Sequence, residues 1–459
     1  MAGLLSKERI VAGGEYNRWL IPPAALATHL CIGQVYALSV FNLPLTKEIG
    51  ISHSVSSDWK LTQLGWVFTI AIFVLGASAA LFGKWVQAEG PRKSGFLAAV
   101  CWSTGFLVGA LGIRLHQLWL VYLGYGVIGG CGLGIGYITP VSTLIAWFPD
   151  RRGMATGMAI MGFGGGALIA SPLSDVLMKH FASATSTGVA ATWLVLGIGY
   201  FVMMTAGAFG YRVPAPDWKP AGFREPAKQP ALITRENVTP AAAISTPQFW
   251  LLWVVLCFNV TAGIGVLGQA SAMIQEVFKG KITPSAAAGF VGLLSLFNMG
   301  GRFFWASLSD KIGRKATYAC FFTLGTALYA LVPFAGRSGS VAFFVACFCL
   351  ILTMYGGGFA TIPAYLADAF GPKYVSAVHG RLLTAWSAAG VFGPVLVNYI
   401  RQYQIDNGVP KYEAYSVTLY LMAALLLVAF FANLAIKPVE EQHFEGREPA
   451  PRNAKPRLA

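Results

Sequence analysis

Charge is scarce in this sequence of 459 residues, because only 11% of them are Asp, Glu, Lys or Arg, against about 25% in soluble domains. Acidic residues are the scarcest, with 19 against 33 basic ones. Hydrophobic residues make up 56% of the chain, and the mean hydropathy is +0.60. This composition excludes an ordinary soluble globular protein and is typical of a polytopic membrane protein.

The sequence also lacks the patterns of metal centres, disulfide frameworks and catalytic centres. Seven cysteines lie in or beside apolar segments without zinc-type spacing, and six histidines are scattered with no HExxH motif. No nucleotide-binding loop is present, and the apolar segments contain no paired carboxylates. We therefore expect no metal, no cofactor and no enzymatic activity.

Apolar segments long enough to cross a bilayer, which takes about 18 residues or more, recur along the whole chain. They predict an all-α integral membrane protein with twelve transmembrane helices, at 19–42, 62–83, 94–113, 118–146, 153–173, 191–211, 249–270, 286–307, 316–335, 341–366, 380–400 and 414–436.

The net charge of +14 could indicate nucleic-acid binding, but the positions of the basic residues argue against it. Most Lys and Arg lie in the two termini and in the loops that share their side of the membrane. By the positive-inside rule both termini are cytoplasmic. We expect a multi-pass protein of the cytoplasmic (inner) membrane that binds no nucleic acid.

A polar segment rich in Pro and Ala, residues 212–246, separates six predicted spans from the next six. It predicts a six-helix bundle at 1–211, a cytoplasmic linker at 212–246, a second bundle at 247–436 and a disordered cytoplasmic tail at 437–459. The halves repeat weakly, since "GKWVQAEGPRK" after span 2 corresponds to "ASLSDKIGRK" after span 8. Parallel halves of this kind are typical of transporters.

The loop "ASLSDKIGRK" resembles the signature of the major facilitator superfamily. The longer stretches "WFPDRRGMATGMAIMGFGGGA" and "NMGGRFFWASLSDKIGR" resemble the oxalate:formate antiporter family and the related monocarboxylate transporters. The resemblance implies two six-helix bundles, and it covers all twelve spans. One departure is Gln87, where the superfamily usually has an aspartate.

Arg302 stands inside predicted span 8, where insertion of a charge costs about 2.5–3.5 kcal/mol. Its side chain leans toward the helix N-terminus and so toward the bilayer middle, which disfavours snorkelling. Since no acidic residue of the spans is available as a partner, we predict that Arg302 faces a water-filled cavity and binds a substrate carboxylate. Asn298 lies on the same helix face and is a second candidate.

The resemblance also implies aromatic cavity residues, and these are Tyr36, Tyr137 and Tyr355. In the antiporters a span-11 lysine helps to bind a dianion, and Trp386 occupies the matching position here. His29 in span 1 has two interpretations, a packed core histidine or a proton carrier.

The repeated loops are expected to pack at the cytoplasmic side when the transporter opens outward. The residues predicted to act in gating are Gly83, Arg92, Asp310, Gly313 and Arg314.

These features predict a secondary active transporter for small carboxylates, with monocarboxylates preferred. The alternatives are oxalate/formate-type dicarboxylate exchange and a non-transporting sensor of the same fold. The expected partners are a small organic anion, a counter-anion or a proton, and the lipid bilayer, with the monomer as the working unit.

Overall fold

The computed structural model describes residues 3–13, 15–216, 218–220, 232–234, 236–267 and 269–447. In these residues the regular structure is helical, and the only strand-like features are three isolated bridges. Predictions for linker residues 217, 221–231 and 235 and for tail residues 448–459 lie outside the described residues.

Twelve long helices follow one another along the described chain, as the apolar segments predict. They are α1 (Arg18–Ala37), α2 (Leu61–Glu89), α3 (Pro91–Arg114), α4 (Leu118–Trp147), α5 (Arg152–Phe181), α6 (Val189–Gly210), α7 (Pro247–Leu267), α8 (Pro284–Ile312), α9 (Arg314–Arg337), α10 (Val341–Phe370), α11 (Val375–Asp406) and α12 (Ser416–Ala435). Shorter helices are Lys7–Ile10, Ser39–Leu45, Pro240–Ile244, Ala270–Val277 and Glu441–His443.

Eleven of the twelve are long and apolar enough to span a membrane, and the exception among the described helices is α8. This helix has 29 residues, and its length is ample for a span. Its apolar character is interrupted by Asn298 and Arg302, which are buried at 2% and 0% exposure. The long helix that is not apolar enough to count as a membrane span by composition is therefore the one that carries the fully buried Arg302.

The helices pair in the same way in the first half, α1–α6, and in the second half, α7–α12. In the first half α1 packs on α5, α2 on α4 and α3 on α6, and the equivalent pairs six helices later also pack together. Between the halves α5 packs on α8 and α2 packs on α11, which are again equivalent pairs. This arrangement is that of a parallel repeat, while the boundaries at residues 211, 246 and 436 stay a prediction.

One side of the molecule, the terminal side, carries the described ends of the chain and the described parts of the linker. The linker bridges to the N-terminal segment, where the Ala12 amide donates to the Val213 carbonyl at 2.9 Å. Tail residues up to 447 are also ordered on this side, which differs from the predicted disorder. Lys373 pairs with Glu445 at 2.8 Å, and its hydrogen bonds lower the pKa of the Glu445 carboxyl.

Glycine allows α8 and α10 to approach closely beside Arg302. A Cβ atom added at Gly301 would overlap the backbone of Thr353, whereas one added at the neighbouring Gly300 would meet nothing within 4 Å. Small residues at helix contacts let membrane helices pack backbone to backbone.

We predict that Gly301→Ala destabilises the protein, because the methyl group has no space, and overpacking costs about 1–3 kcal/mol. Gly300→Ala is the matched control and should be neutral or stabilising by about 0.5–1 kcal/mol, since alanine favours the helix. Thermal unfolding in detergent provides the measurement. Equal melting temperatures for the two variants would contradict the close α8–α10 contact.

Candidate functional site

Arg302 lies at the contact between the two halves and is fully buried. Its Nε donates to the Asn298 side-chain oxygen at 3.1 Å, one turn earlier on α8. Its Nη1 donates to the Ile160 carbonyl of α5 at 3.4 Å. The guanidinium thus joins the second half to the first through a neutral amide and a backbone carbonyl.

Two aromatic rings cover the guanidinium. The centroids of Phe163 from α5 and Phe359 from α10 lie 5.6 and 5.3 Å from the Arg302 Cζ atom. Cation–π contacts of this kind stabilise a cation without neutralising it. The water-filled cavity predicted around Arg302 is therefore closed in this conformation, because the rings fill that space.

No carboxylate among the described residues pairs with Arg302, while the described ion pairs of other arginines involve Asp150, Asp310, Asp368, Glu276, Glu236 and Glu441. The Nη2 atom of Arg302 is buried and has no hydrogen-bond partner within the described chain. A buried guanidinium with an unused donor can bind an anion.

Tyr36 of α1 and Tyr355 of α10 meet across the contact between the halves. Their hydroxyl groups are 3.1 Å apart, so that one donates to the other. The Tyr36 hydroxyl also lies near the Arg302 guanidinium. Two of the predicted aromatic residues are thereby placed together beside the arginine.

Tyr137 of α4 and Trp386 of α11 are both fully buried, and their rings pack edge to face at 5.2 Å. Trp386 also contacts Phe163 at 5.5 Å and Phe359 at 4.4 Å, the two rings over Arg302. The Tyr137 hydroxyl lies near the guanidinium. The structure thus brings all six predicted binding residues into one cluster, here called the central cluster: Tyr36, Tyr137, Asn298, Arg302, Tyr355 and Trp386.

Charged residues close the terminal side between α5 and α8. The Asp310 carboxylate at the end of α8 accepts hydrogen bonds at 2.9 Å from the amides of Gly153 and Met154, in the first turn of α5. An acidic group at this position caps the helix across the halves. Arg314 pairs with Asp310 at 2.6 Å and with Asp368 at 3.0 Å.

The equivalent contact between α2 and α11 lies on the same side. A Cβ atom at Gly83 would come within 2.9 Å of the Ala377 Cα atom, and the Gln87 side-chain amide donates to the Lys373 carbonyl at 2.5 Å. Each repeated loop therefore packs on the opposite half. The two loops do not form a contact with each other among the interactions described here.

Two predicted gating residues have other positions. Arg92 donates to the carbonyls of Leu4 and Phe209 at 3.3 and 3.2 Å, which are all in the first half. Gly313 has a φ angle of +86° and ends α8, and a Cβ there would meet nothing within 4 Å. In this conformation Arg92 holds the N-terminal segment, and Gly313 forms the turn between α8 and α9.

A sequence model described as the Major Facilitator Superfamily matches residues 24–394 and 282–459 of the chain. The chain belongs to the major facilitator superfamily. It is 28% identical over 378 residues to the oxalate:formate antiporter of Oxalobacter formigenes, covering 82% of this chain and 83% of the relative. It is 23% identical to human monocarboxylate transporter 10, covering 88% and 75%. The crystal structure of human organic anion transporter MFSD10 superposes with a TM-score of 0.65 at 15% identity, covering 91% and 100%.

Within this major facilitator fold, two aromatic residues and one histidine that pack against the central cluster were not predicted from the sequence. Phe163 and Phe359 looked like ordinary apolar residues of their spans. His379 is one of six scattered histidines in the sequence, yet its ring lies 5.9 Å from that of Tyr137. A usable signal was present, because His379 precedes Trp386 by seven residues, which places both on one face of α11.

We predict that Asp310→Asn loosens the start of α5, since a neutral amide has one acceptor oxygen and cannot pair with Arg314. Hydrogen bonds to charged groups contribute about 1.5–3 kcal/mol each, so the amides of Gly153 and Met154 should exchange at least about tenfold faster. Hydrogen–deuterium exchange in detergent measures this. Asp175→Asn, an exposed position on the same helix, is the control. Unchanged exchange in Asp310→Asn would contradict the capping contact.

Proposed function

We propose that this protein is a secondary active transporter that moves small monocarboxylate anions across the cytoplasmic membrane by alternating access. The observation that carries the proposal is the buried Arg302 guanidinium, which has no described carboxylate partner and has an unused Nη2 donor. Membership of a transporter superfamily supports it.

A charge in this position is costly and needs a purpose. Inserting an arginine at the centre of a membrane helix costs about 2.5–3.5 kcal/mol. A protein that needed only packing could use an apolar residue there. A bound carboxylate would offset the cost, because a guanidinium holds it through two parallel hydrogen bonds.

The position of Trp386 supports a monocarboxylate rather than a dicarboxylate as the preferred substrate. It occupies the position at which the resembled antiporters have a second cation, and it is surrounded by Tyr137, Phe163 and Phe359. A site with one fixed cation neutralises one carboxylate. A second carboxylate held among aromatic rings would remain an unpaired buried charge, which costs several kcal/mol.

The positive-inside rule supports a cytoplasmic location for the terminal side. The Asp310 and Gly83 contacts then close the cytoplasmic side of the protein in this conformation. Transport requires these contacts to break while contacts on the opposite side form. We propose that residues 1–211 and 247–436 rock against each other around the central cluster, with Asp310 and Arg314 as the charged part of the cytoplasmic gate.

The amide side chain of Asn298 bears on which gradient drives transport. The family resemblance implies that proton-coupled members have a carboxylate at the position of Asn298, and a neutral amide cannot carry a proton there. No ATP-binding loop is present in the sequence, so an anion or ion gradient drives the movement. Asn298 instead orients Arg302 through the 3.1 Å hydrogen bond to its Nε.

We predict that Arg302→Lys lowers uptake of a labelled monocarboxylate into proteoliposomes by at least about tenfold, because lysine keeps the charge and loses the paired geometry. Arg302→Ala should abolish uptake. Arg337→Ala is the control. Arg337 is exposed at the last residue of α9, at the end of that helix away from Arg314 and the terminal side. Near wild-type uptake by a correctly inserted Arg302→Ala variant would refute the proposal.

Exchange of the dicarboxylate oxalate for formate is the competing function, and the name of the Oxalobacter relative favours it. We predict that oxalate competes with a labelled monocarboxylate less well than the unlabelled monocarboxylate does. Oxalate competing equally well or better would decide for the alternative. Trp386→Lys should raise the relative affinity for oxalate, because it adds a second cation beside Arg302.

A further inference from the structure

A cavity of about 700 Å³ lies on the terminal side of the protein, and none of the six central-cluster residues lines it. Its walls come from three parts of the chain. The first half contributes the N-terminal segment and the ends of α2 and α4, the linker contributes residues 213–216, 218 and 219, and the second half contributes residues 372, 373, 375 and 376. Small-molecule sites have volumes of about 300–1,000 Å³, so the cavity has room for a ligand that bridges the halves.

Basic side chains dominate the charge of this cavity, since its described lining contains no Asp or Glu. The described basic lining residues are Lys7, Arg152, Lys219 and Lys373. Arg152 pairs with Asp368 at 3.0 Å, and Lys373 pairs with Glu445 at 2.8 Å. The Lys7 Nζ donates to a backbone carbonyl at 2.9 Å, which does not neutralise its charge. A cleft with an excess of cations concentrates anions.

Two lining residues, one from each half, carry donor atoms that the described chain does not use. The Arg152 Nε and the Ser376 Oγ are buried and have no hydrogen-bond partner among the described residues. Ser376 is only 3% exposed, and buried polar atoms are bonded as a rule. A serine side chain has three staggered rotamers, so its hydroxyl can turn toward a ligand. A guanidinium only donates hydrogen bonds, and a hydroxyl can donate as well, so the ligand that suits both is an anion.

The rest of the lining is largely apolar. Its apolar residues include Val11, Val86, Ile145, Val213, Pro214 and Trp218. Trp218 is held edge to face against Trp147 at 4.7 Å, so one aromatic ring of the wall has a fixed position. A ligand that fills this cavity therefore has an anionic end and an apolar or aromatic body.

We propose that this cavity binds a phosphate monoester with an apolar or aromatic body, and that the bound ligand holds the terminal side of the transporter closed. A phosphate monoester carries a charge of about −1.5 to −2 and three acceptor oxygens, so it can engage donors from several directions. A monocarboxylate has one charge and two oxygens, and it would leave part of this donor set unused. The inference goes beyond the proposed function, because it concerns a second site with a different ligand.

The position of Ser376 explains why binding would affect movement. A Cβ atom added at Gly83 would lie 2.9 Å from the Ser376 carbonyl oxygen, so the cavity adjoins the contact between α2 and α11. In the proposed rocking movement this contact separates, and Lys7 and Ser376 move apart with it. A ligand that contacts both residues binds the closed conformation better than the open one and shifts the population toward it.

The first test is titration calorimetry of the full-length protein in detergent with two phosphate monoesters, adenosine 5′-monophosphate and dihexanoyl phosphatidic acid. Adenosine and dihexanoylglycerol are the phosphate-free controls. We expect saturable binding of a monoester and no binding of its control. Binding of adenosine 5′-monophosphate assigns the site to soluble phosphate esters, and binding of phosphatidic acid alone assigns it to lipid headgroups. Binding of neither monoester, or equal binding of the controls, would overturn the proposal.

The second test locates the binding with two independent variants. Ser376→Ala removes an unbonded hydroxyl and should weaken monoester binding about tenfold, the factor of one hydrogen bond to a charged group. Lys7→Gln should weaken it about threefold, as expected for a partly exposed charge. Lys315→Gln is the matched control, because Lys315 also donates to backbone carbonyls on the terminal side but lies outside this cavity. Unchanged binding in both variants, or an equal loss in Lys315→Gln, would contradict the assigned site.

The third test asks whether the ligand joins the halves. At 100 times its Kd, the monoester should slow hydrogen–deuterium exchange at least about tenfold in residues 83–90 of the first half and in residues 372–380 of the second. Protection confined to one half would refute the closing role. Because the readouts are binding and exchange, their outcome does not depend on which anion the central cluster transports.

Discussion

A guanidinium buried at the contact between two helix bundles, with no described carboxylate to neutralise it, is the constraint on which this structure depends. Arg302 is held by a neutral amide and a carbonyl, and two aromatic rings cover it. These groups orient the charge and leave it unneutralised. The close approach of α8 to α10 at Gly301 brings the ring of Phe359 within reach, and the packing of α5 on α8 brings Phe163.

The repeat in the fold explains why the central cluster is shared between the halves. The pairs α5–α8 and α2–α11 are equivalent, and they form the contact between the halves on the terminal side. Side chains from α1 and α4 meet side chains from α8, α10 and α11 in the cluster, and Phe163 of α5 packs against it. Movement of one half against the other would change the surroundings of Arg302 and the contacts of the proposed cytoplasmic gate together.

Much of this could be predicted from sequence because membrane helices are governed by apolar length, and because a lone arginine in a span is conspicuous. The twelve helices and the candidate role of Arg302 follow from those two signals, whereas the predicted tyrosines and Trp386 were implied by the resemblance to a known family. Phe163 and Phe359 could not be identified as contacts of Arg302, because the sequence of an apolar helix does not indicate which residue an apolar ring will contact. Gating roles were predicted for Arg92 and Gly313 from the repeated loops. The contacts of these two residues depend instead on the path of the N-terminal segment and on where α8 ends.

The most direct test is a magnetic resonance distance, in lipid membranes, between the labelled carboxylate carbon of a bound monocarboxylate and labelled arginine side-chain nitrogens. A two-pronged pair with nitrogen–oxygen distances of about 2.8 Å predicts a carbon–nitrogen distance of about 4 Å. This signal should be present in the wild-type protein and lost in Arg302→Lys. Bound substrate that gives no such arginine contact, or a contact that survives in Arg302→Lys, would contradict the account.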